Sequence, residues 1–504
     1  MQETIWALLP PVIAIVLALI TKEVYLSLFL GILSGALLYT NFSFGETAST
    51  IFELMGSKIG GNIGIVIFLV LLGMLVKLMT RSGASRAYGN WASKAIKSKK
   101  GALFATSGLG ALIFVDDYFN CLTVGTVMNP ITDKYKITRA KLAYIIDATA
   151  APVCIIAPIS SWAAAVSSSL PEGTNIDGFS LFIKTIPFNI YALLTILMVV
   201  LIIAFNMDFS KMKKYEETIG ENEQKIDTGE MVSDNTKGKV IDLLLPIISL
   251  IILCVFCMMY TGGILEGASI KDAFANCDAP TSLALGSFLA IVVTGLLYLP
   301  RKVISFKEFM DSLADGFKAM VPAILILTFA WTLGGICGKE YLNAGAFVGE
   351  VVANSSISMA IIPAVFFLVA LGLAFSTGTS WGTFAILLPI IVSVFGGQES
   401  HLFIVSVSAM LAGAVCGDHI SPISDTTIMA STGAGCNHID HVSTQIPYAL
   451  LIAVICFISY LIAGVANNGI IGLAVGVVLT VASLMLIRNK QNKKAQQDVE
   501  EIKA

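Results

Sequence analysis

The residues best equipped for chemistry lie in one stretch, Gly417-Asp418-His419-Ile420-Ser421-Pro422-Ile423-Ser424-Asp425-Thr426-Thr427, directly after the apolar run 402–416. Asp418 and Asp425, with Ser421, Ser424, Thr426 and Thr427, offer the hard oxygen ligands that alkali and alkaline-earth cations take. Pro422 cannot donate a backbone hydrogen bond, so unwinding there would free carbonyl oxygens for the same ion. His419 titrates near neutral pH and could relay a proton, or it could simply partner Asp418. A second group is Asp116, Asp117 and Asn120, within Phe114-Val115-Asp116-Asp117-Tyr118-Phe119-Asn120. An unpaired charge at the centre of a bilayer costs at least ~2.5 kcal/mol. Two adjacent carboxylates there do not both ionise unless a cation or donor is close. Such a group holds a proton or a metal ion, whichever is offered, and that exclusivity is the chemistry of exchange. The bland role for the same pair is to cap a helix near the membrane surface.

Two further clusters have suitable side chains. Ser376, Thr377, Thr379 and Ser380 surround Gly378 between two apolar arms, as a re-entrant tip or a plain loop. Asp147, Thr149, Ser160 and Ser161 flank Pro152 and Pro158 and could coordinate a second ion.

What must position these residues follows from composition. The chain of 504 residues is 56% hydrophobic and 13% charged, and its mean hydropathy is +0.84. That balance predicts an all-α polytopic membrane protein, since several apolar runs reach the ~20 residues that a spanning helix needs. In such a protein, a polar and helix-breaking segment survives at bilayer depth only where it is buried in protein or lines a wet cavity. Spans are expected near 5–20, 24–40, 60–79, 187–205, 240–262, 282–300, 319–337, 445–466 and 469–487. The start of the chain lacks a basic signal-peptide region, so the first of them reads as a retained helix. Hairpins are expected at 102–132 and 357–395, and broken helices at 142–170 and 402–432.

The order of these elements repeats. Ala151-Pro152-Val153-Cys154 followed by Pro158-Ile159-Ser160-Ser161 mirrors Gly413-Ala414-Val415-Cys416 followed by Pro422-Ile423-Ser424-Asp425. This suggests one repeat over 1–205 and another over 240–466, joined by a polar cytoplasmic linker at 206–239 and followed by an extra helix and basic tail at 467–504. Lys and Arg mark cytoplasmic loops. Segments 80–100 and 133–141 are rich in both, whereas 396–401, which matches 133–141 in the second half, has neither. The halves should therefore be inverted, giving about eleven crossings with the N-terminus outside and the C-terminus cytoplasmic.

Other signals carry less. The nine cysteines sit mostly alone in apolar runs, which argues for reduced, packed thiols. Cys254 and Cys257 read as packing, and His438 and His441 read as a surface loop. No basic tract suits nucleic acid, and neither a nucleotide loop nor a nucleophile elbow is found, so the chain does not read as an enzyme or an ATP-driven pump.

At the residues 417–427, 114–120 and 150–153 the sequence resembles the NhaC family of sodium/proton antiporters, over essentially the whole membrane part. The resemblance implies two inverted repeats, each with a re-entrant hairpin and a broken helix, and a homodimer in the cell (inner or plasma) membrane. It implies elevator-type alternating access, with Na+ and H+ as cargo and no cofactor. It places one ion site at Asn120 and the break at Pro158 to Ser161, the other at Ser376 to Ser380 and the break from Asp418 to Asp425. It also leaves open a sodium- or proton-coupled carrier of a small organic acid or amino acid, of the malate/lactate kind.

Overall fold

The computed structural model describes residues 2–503 except 22, 85–86, 89–90, 92–93, 95, 115–116, 159, 171–175, 219–236, 339, 345, 348–349, 351–357 and 396–397. Among the described residues the chain is helical throughout, with no strand. Seven helices among the described residues are long and apolar enough to cross a membrane, or eight if Gly178–Phe188 and Ile190–Phe205, bent by 46°, count as one span. Ile5–Ala14 and Tyr25–Tyr39 are apolar but shorter. The remaining crossings of the expected eleven would have to come from such shorter or interrupted helices.

The helices form two packed groups. In one, Ile63–Arg81, Ile241–Thr261, Ala279–Tyr298 and Phe306–Ile336 pack on one another, and Leu9–Thr21, Val24–Tyr39 and Phe44–Gly61 join them. Phe306–Ile336 starts at a capping box made by Ser305 and Glu308, thirteen residues before the expected span. The other group holds the candidate site. Lys99–Leu112 and Asp117–Lys134 form a helix pair in the expected 102–132 hairpin, and Ile362–Thr377 and Ser380–Val394 form its counterpart in 357–395. Each pair packs on an interrupted helix: Arg139–Thr149, Ala151–Cys154 and Ser161–Ser168 in the first half, His401–Ile420 and Asp425–Ala434 in the second.

Local chemistry explains the second interruption. Proline disfavours the helical region for the residue before it, and Ser421 is extended at φ −83°, ψ 128°. Ser424 then restarts the helix as an N-cap, its side chain accepting from the Thr427 N–H at 3.2 Å. In the most apolar 18-residue stretch of His401–Ile420, 94% of the residues are buried, whereas in that of Gly469–Lys493 only 22% are, and this helix runs along the outside. A helix of that apolarity, exposed on most faces, is stable only against lipid.

The polar segment 206–239 contains one described helix, Ser210–Thr218; residues 219–236 lie outside the described set. All nine cysteines are buried. His438 and His441 do not form a surface loop. Asn437 caps a helix that runs His438–Val465, beginning seven residues before the expected span. His441 is fully buried within it.

Candidate functional site

Glycines bring the elements of the site together. Gly378 ends Ile362–Thr377 in the left-handed region at φ +69°, where a side chain is strained. A Cβ there would also lie 2.4 Å from the Ile423 carbonyl oxygen, so the turn at 378 is seated in the break of the second interrupted helix. Its carbonyl accepts the Asp425 N–H at 3.3 Å. Where Asp117–Lys134 crosses Asp425–Ala434, a Cβ on Gly125 would come within 2.2 Å of the Gly433 backbone. Small residues at such a crossing let the two backbones approach.

The consequence is a cluster of buried carboxylates. Asp418 is 1% exposed and Asp425 4%. Ser380, from the facing turn, donates its hydroxyl to Asp418 Oδ2 at 2.8 Å, and Thr426 donates to the same oxygen at 3.2 Å. Asp418 Oδ1 is buried with no hydrogen-bond partner. Asp425 Oδ1 accepts the Thr426 N–H at 2.8 Å, and its Oδ2 accepts the Tyr118 hydroxyl at 2.7 Å. Asp117 Oδ2 accepts the Trp162 indole N–H at 3.1 Å. The rings of Tyr118, Trp162 and Trp381 pack beside these carboxylates, with centroids 6.2–6.4 Å apart along the chain.

The two aspartates of the break differ electrostatically. Asp425 opens a helix, where the dipole and free N–H groups favour a negative charge. Asp418 sits in the last turn of His401–Ile420, where unpaired carbonyls already concentrate negative charge. A carboxylate there calls for a cation, and the Asp418 carboxylate has one oxygen to offer it.

Other predicted residues are turned elsewhere. The Ser376 and Thr377 hydroxyls donate to the Leu373 carbonyl at 2.9 and 2.8 Å, and Thr379 Oγ1 accepts the Gly382 N–H at 3.3 Å. Of that turn, only Ser380 reaches Asp418. Ser421 donates to the Phe375 carbonyl at 2.8 Å, whereas Ser424, 3.2 Å from Thr426 between hydroxyls, stays beside Asp418. Ser160 donates to the Cys154 carbonyl at 2.8 Å, and Thr149 to that of Ile145 at 2.7 Å. Asn120 Nδ2 lies within 2.7, 2.8 and 3.2 Å of the carbonyls of Gly110, Ile113 and Thr149, tying the first turn to the first break. Asp116 and the side chain of Ser161 lie outside the described residues.

His419 does not partner Asp418. Its Nδ1 meets the Tyr191 hydroxyl at 3.1 Å, and its Nε2 lies 3.7 Å from Asp147 Oδ1. Asp147 also has His441 Nε2 at 3.3 Å and Gln445 Nε2 at 2.5 Å, so its oxygens face imidazoles and an amide. Tyr118, Trp162, His441 and Gln445 were not among the expected site residues. Gln445 did leave a signal, as an amide at the first residue of the apolar span expected at 445–466, where a polar side chain facing the bundle usually has a partner or a task.

An uncharacterised protein of Haemophilus influenzae is 38% identical over 97% of this chain and 96% of its own length. The malate-2H(+)/Na(+)-lactate antiporter of Bacillus subtilis is 27% identical over 38% of this chain and 40% of its own. A Haemophilus influenzae protein named as an uncharacterised Na(+)/H(+) antiporter is 28% identical over 30% of this chain and 32% of its own. The family model described as the Na+/H+ antiporter family matches residues 171–465, which include the second interrupted helix and its facing turn. The chain therefore belongs to the Na+/H+ antiporter family.

Proposed function

We propose that this chain exchanges sodium for protons across the inner (plasma) membrane, with Asp418 and Asp425 as the carboxylates that hold sodium. The observation that carries the reading is the buried Asp418 carboxylate at a helix C-terminus, one oxygen fixed by Ser380 and Thr426 and the other without a partner. Sodium would sit at that oxygen, with Asp425, the Ser380 and Thr426 hydroxyls and carbonyls freed by the break completing its shell. Asp117 would hold the aromatic side of the site through Trp162.

The wider architecture belongs to the same proposal. Each half supplies a re-entrant hairpin and a broken helix, the halves are inverted, and eleven crossings leave the N-terminus outside. The group containing both hairpins slides as an elevator against the group built on Phe306–Ile336, and two chains pair as a homodimer. The matched order of helix pair and interrupted helix in the two halves supports this reading.

A second reading, a coupled carrier or exchanger of a small organic acid or amino acid, draws on the activity for which the Bacillus relative is named and on the rings of Tyr118, Trp162 and Trp381 beside the site. Among the described residues no Lys or Arg is paired with Asp418 or Asp425, and the helix N-terminus there is already taken by the Asp425 carboxylate, whereas a carboxylate substrate would need positive charge or a helix N-terminus of its own. The cation reading is therefore preferred. The test uses purified protein in liposomes with a pH-sensitive dye inside and sodium added without organic substrate. A sodium-dependent pH change, lost in the folded D418N/D425N double variant, is the expected result. Full sodium-driven proton movement in that variant would sink the site assignment.

A further inference from the structure

The proposed cation site leaves a second buried polar cluster unused. Asp147, on Arg139–Thr149, is fully buried and lies between two imidazoles, His441 Nε2 at 3.3 Å from Oδ2 and His419 Nε2 at 3.7 Å from Oδ1. Gln445 Nε2 reaches both Asp147 Oδ2, at 2.5 Å, and the His419 carbonyl, at 2.8 Å. The Thr427 hydroxyl faces Asp147 Oδ2 at 3.2 Å and the Asp418 carbonyl at 3.4 Å, so one side chain touches both clusters. Asp147 Oδ1 and both ring nitrogens of His441 are buried without a hydrogen-bond partner. Unpaired polar atoms at that depth are costly, and native proteins keep them where a change of state satisfies them.

The surroundings narrow what that change can be. His441 faces Asp147 from Arg139–Thr149 and His419 from His401–Ile420, with His438 and Asp440 on its own helix. From the other elements packed on that helix, Asp425 is engaged by Tyr118, Tyr191 by His419, and Asp208 by Tyr448. Arg139 and Lys141, earlier on the Asp147 helix, pair with Asp133 and Asp208. No Lys or Arg is thus paired with Asp147 among the described residues. Nor, among them, does any group of three or more His, Cys, Asp or Glu converge closely enough to hold a metal ion. The cation this cluster can accept is a proton.

We infer that His441 and Asp147 form a proton-binding site separate from the Asp418–Asp425 cation site and linked to it across Thr427. The inference rests on the antiport reading above and adds where the proton goes. When a proton binds His441 Nε2, the imidazolium faces the Asp147 carboxylate and the cluster passes from net charge −1 to zero. A negative cluster beside Asp418 favours sodium there, and a neutral one weakens it. Proton and sodium then oppose each other through charge, without contesting one oxygen, and the effect is reciprocal.

The experiment measures sodium/sodium exchange by the full-length protein in liposomes, with no proton gradient, at about pH 6 and about pH 8. In the wild type, KM for sodium should fall by roughly tenfold over that interval, within the usual range of coupling between two sites. In H441Q the dependence should shrink to about twofold or less, and D147N, which removes the charge itself, should flatten it as well. If H441Q does not yield folded protein, D147N decides the question. A slope in either folded variant that parallels the wild type, or a wild-type KM independent of pH, overturns the inference. D418N separates the two claims. Loss of exchange in D418N with a wild-type slope in H441Q removes only the proton site, whereas normal exchange in D418N removes the cation site.

Discussion

Tyr118→Phe removes one oxygen from the site and leaves the ring packing in place. That oxygen donates to Asp425 Oδ2 at 2.7 Å, in a site where Tyr118 is 5% exposed and Asp425 4%. A hydrogen bond between neutral groups on membrane helices is worth only about 0.6 kcal/mol on average. The partner here is a carboxylate, and a bond to a charged group is worth about 1.5–3 kcal/mol. The larger range applies, because burial removes the water that would otherwise replace the lost donor. The loss falls on the ionised carboxylate, the form that would accept sodium in the proposed exchange, more than on the protonated one. At 1.4 kcal/mol per factor of ten, KM for sodium should rise by about 10- to 150-fold at constant pH. The assay is sodium-driven dye response in liposomes, titrated with sodium, with Tyr460→Phe as the control. Tyr460 donates to the backbone carbonyl of Phe188 at 2.9 Å, so its loss should lower thermal stability and leave KM alone. A Tyr118→Phe protein that folds and keeps its KM within about twofold would refute the reasoning, since so small a change is less than the weakest charged hydrogen bond.

Ser380→Ala deletes the hydroxyl that links the facing turn to Asp418 and should raise KM for sodium by about 10- to 150-fold, the worth of one bond to a charged group; Ser376→Ala, whose hydroxyl is already bonded to Leu373, should change it little in the same titration. Asn120 presents its amide nitrogen to three carbonyl oxygens, so Asn120→Asp places an oxygen against them and should lower the melting temperature more than Asn120→Ala does. Equal melting temperatures for those two variants would remove Asn120 from its structural role.

The second half of the site was legible because polarity stood out there against an apolar background. Pro422, two carboxylates and four hydroxyls in eleven residues announce a break, and the structure puts the break between Ile420 and Asp425. Direction was not legible. Ser376 and Thr377 look like ligands in composition, yet a hydroxyl in the last turn of a helix can bond the carbonyl three or four residues back, and both do. Type alone cannot separate a hydroxyl aimed at an ion from one turned on its own helix. His441 escaped for a different reason. Hydropathy places the span at 445–466, so two polar turns looked like a loop, whereas the Asn437 cap begins the helix at His438. Tyr118 lay within a recognised motif, but its partner Asp425 is 307 residues away, a pairing that only the close crossing at Gly125 and Gly433 creates.

That crossing bears on how the two halves act as one. Asp117–Lys134 belongs to the first helix pair and Asp425–Ala434 to the second interrupted helix, so each carboxylate on this face is held by a residue from outside its own helix: Asp425 by Tyr118, Asp117 by Trp162, Asp418 by Ser380. None of these donors carries a formal positive charge. A Lys or Arg in their place would neutralise a carboxylate permanently and compete with any incoming cation. Neutral donors lower the cost of burying the charge while leaving a net negative field for an ion to satisfy. A site meant only for stability would be better served by a fixed ion pair or by apolar residues. Carboxylates held by hydroxyls and an indole, with one oxygen of Asp418 left unpaired, are suited to a cation that must enter and leave.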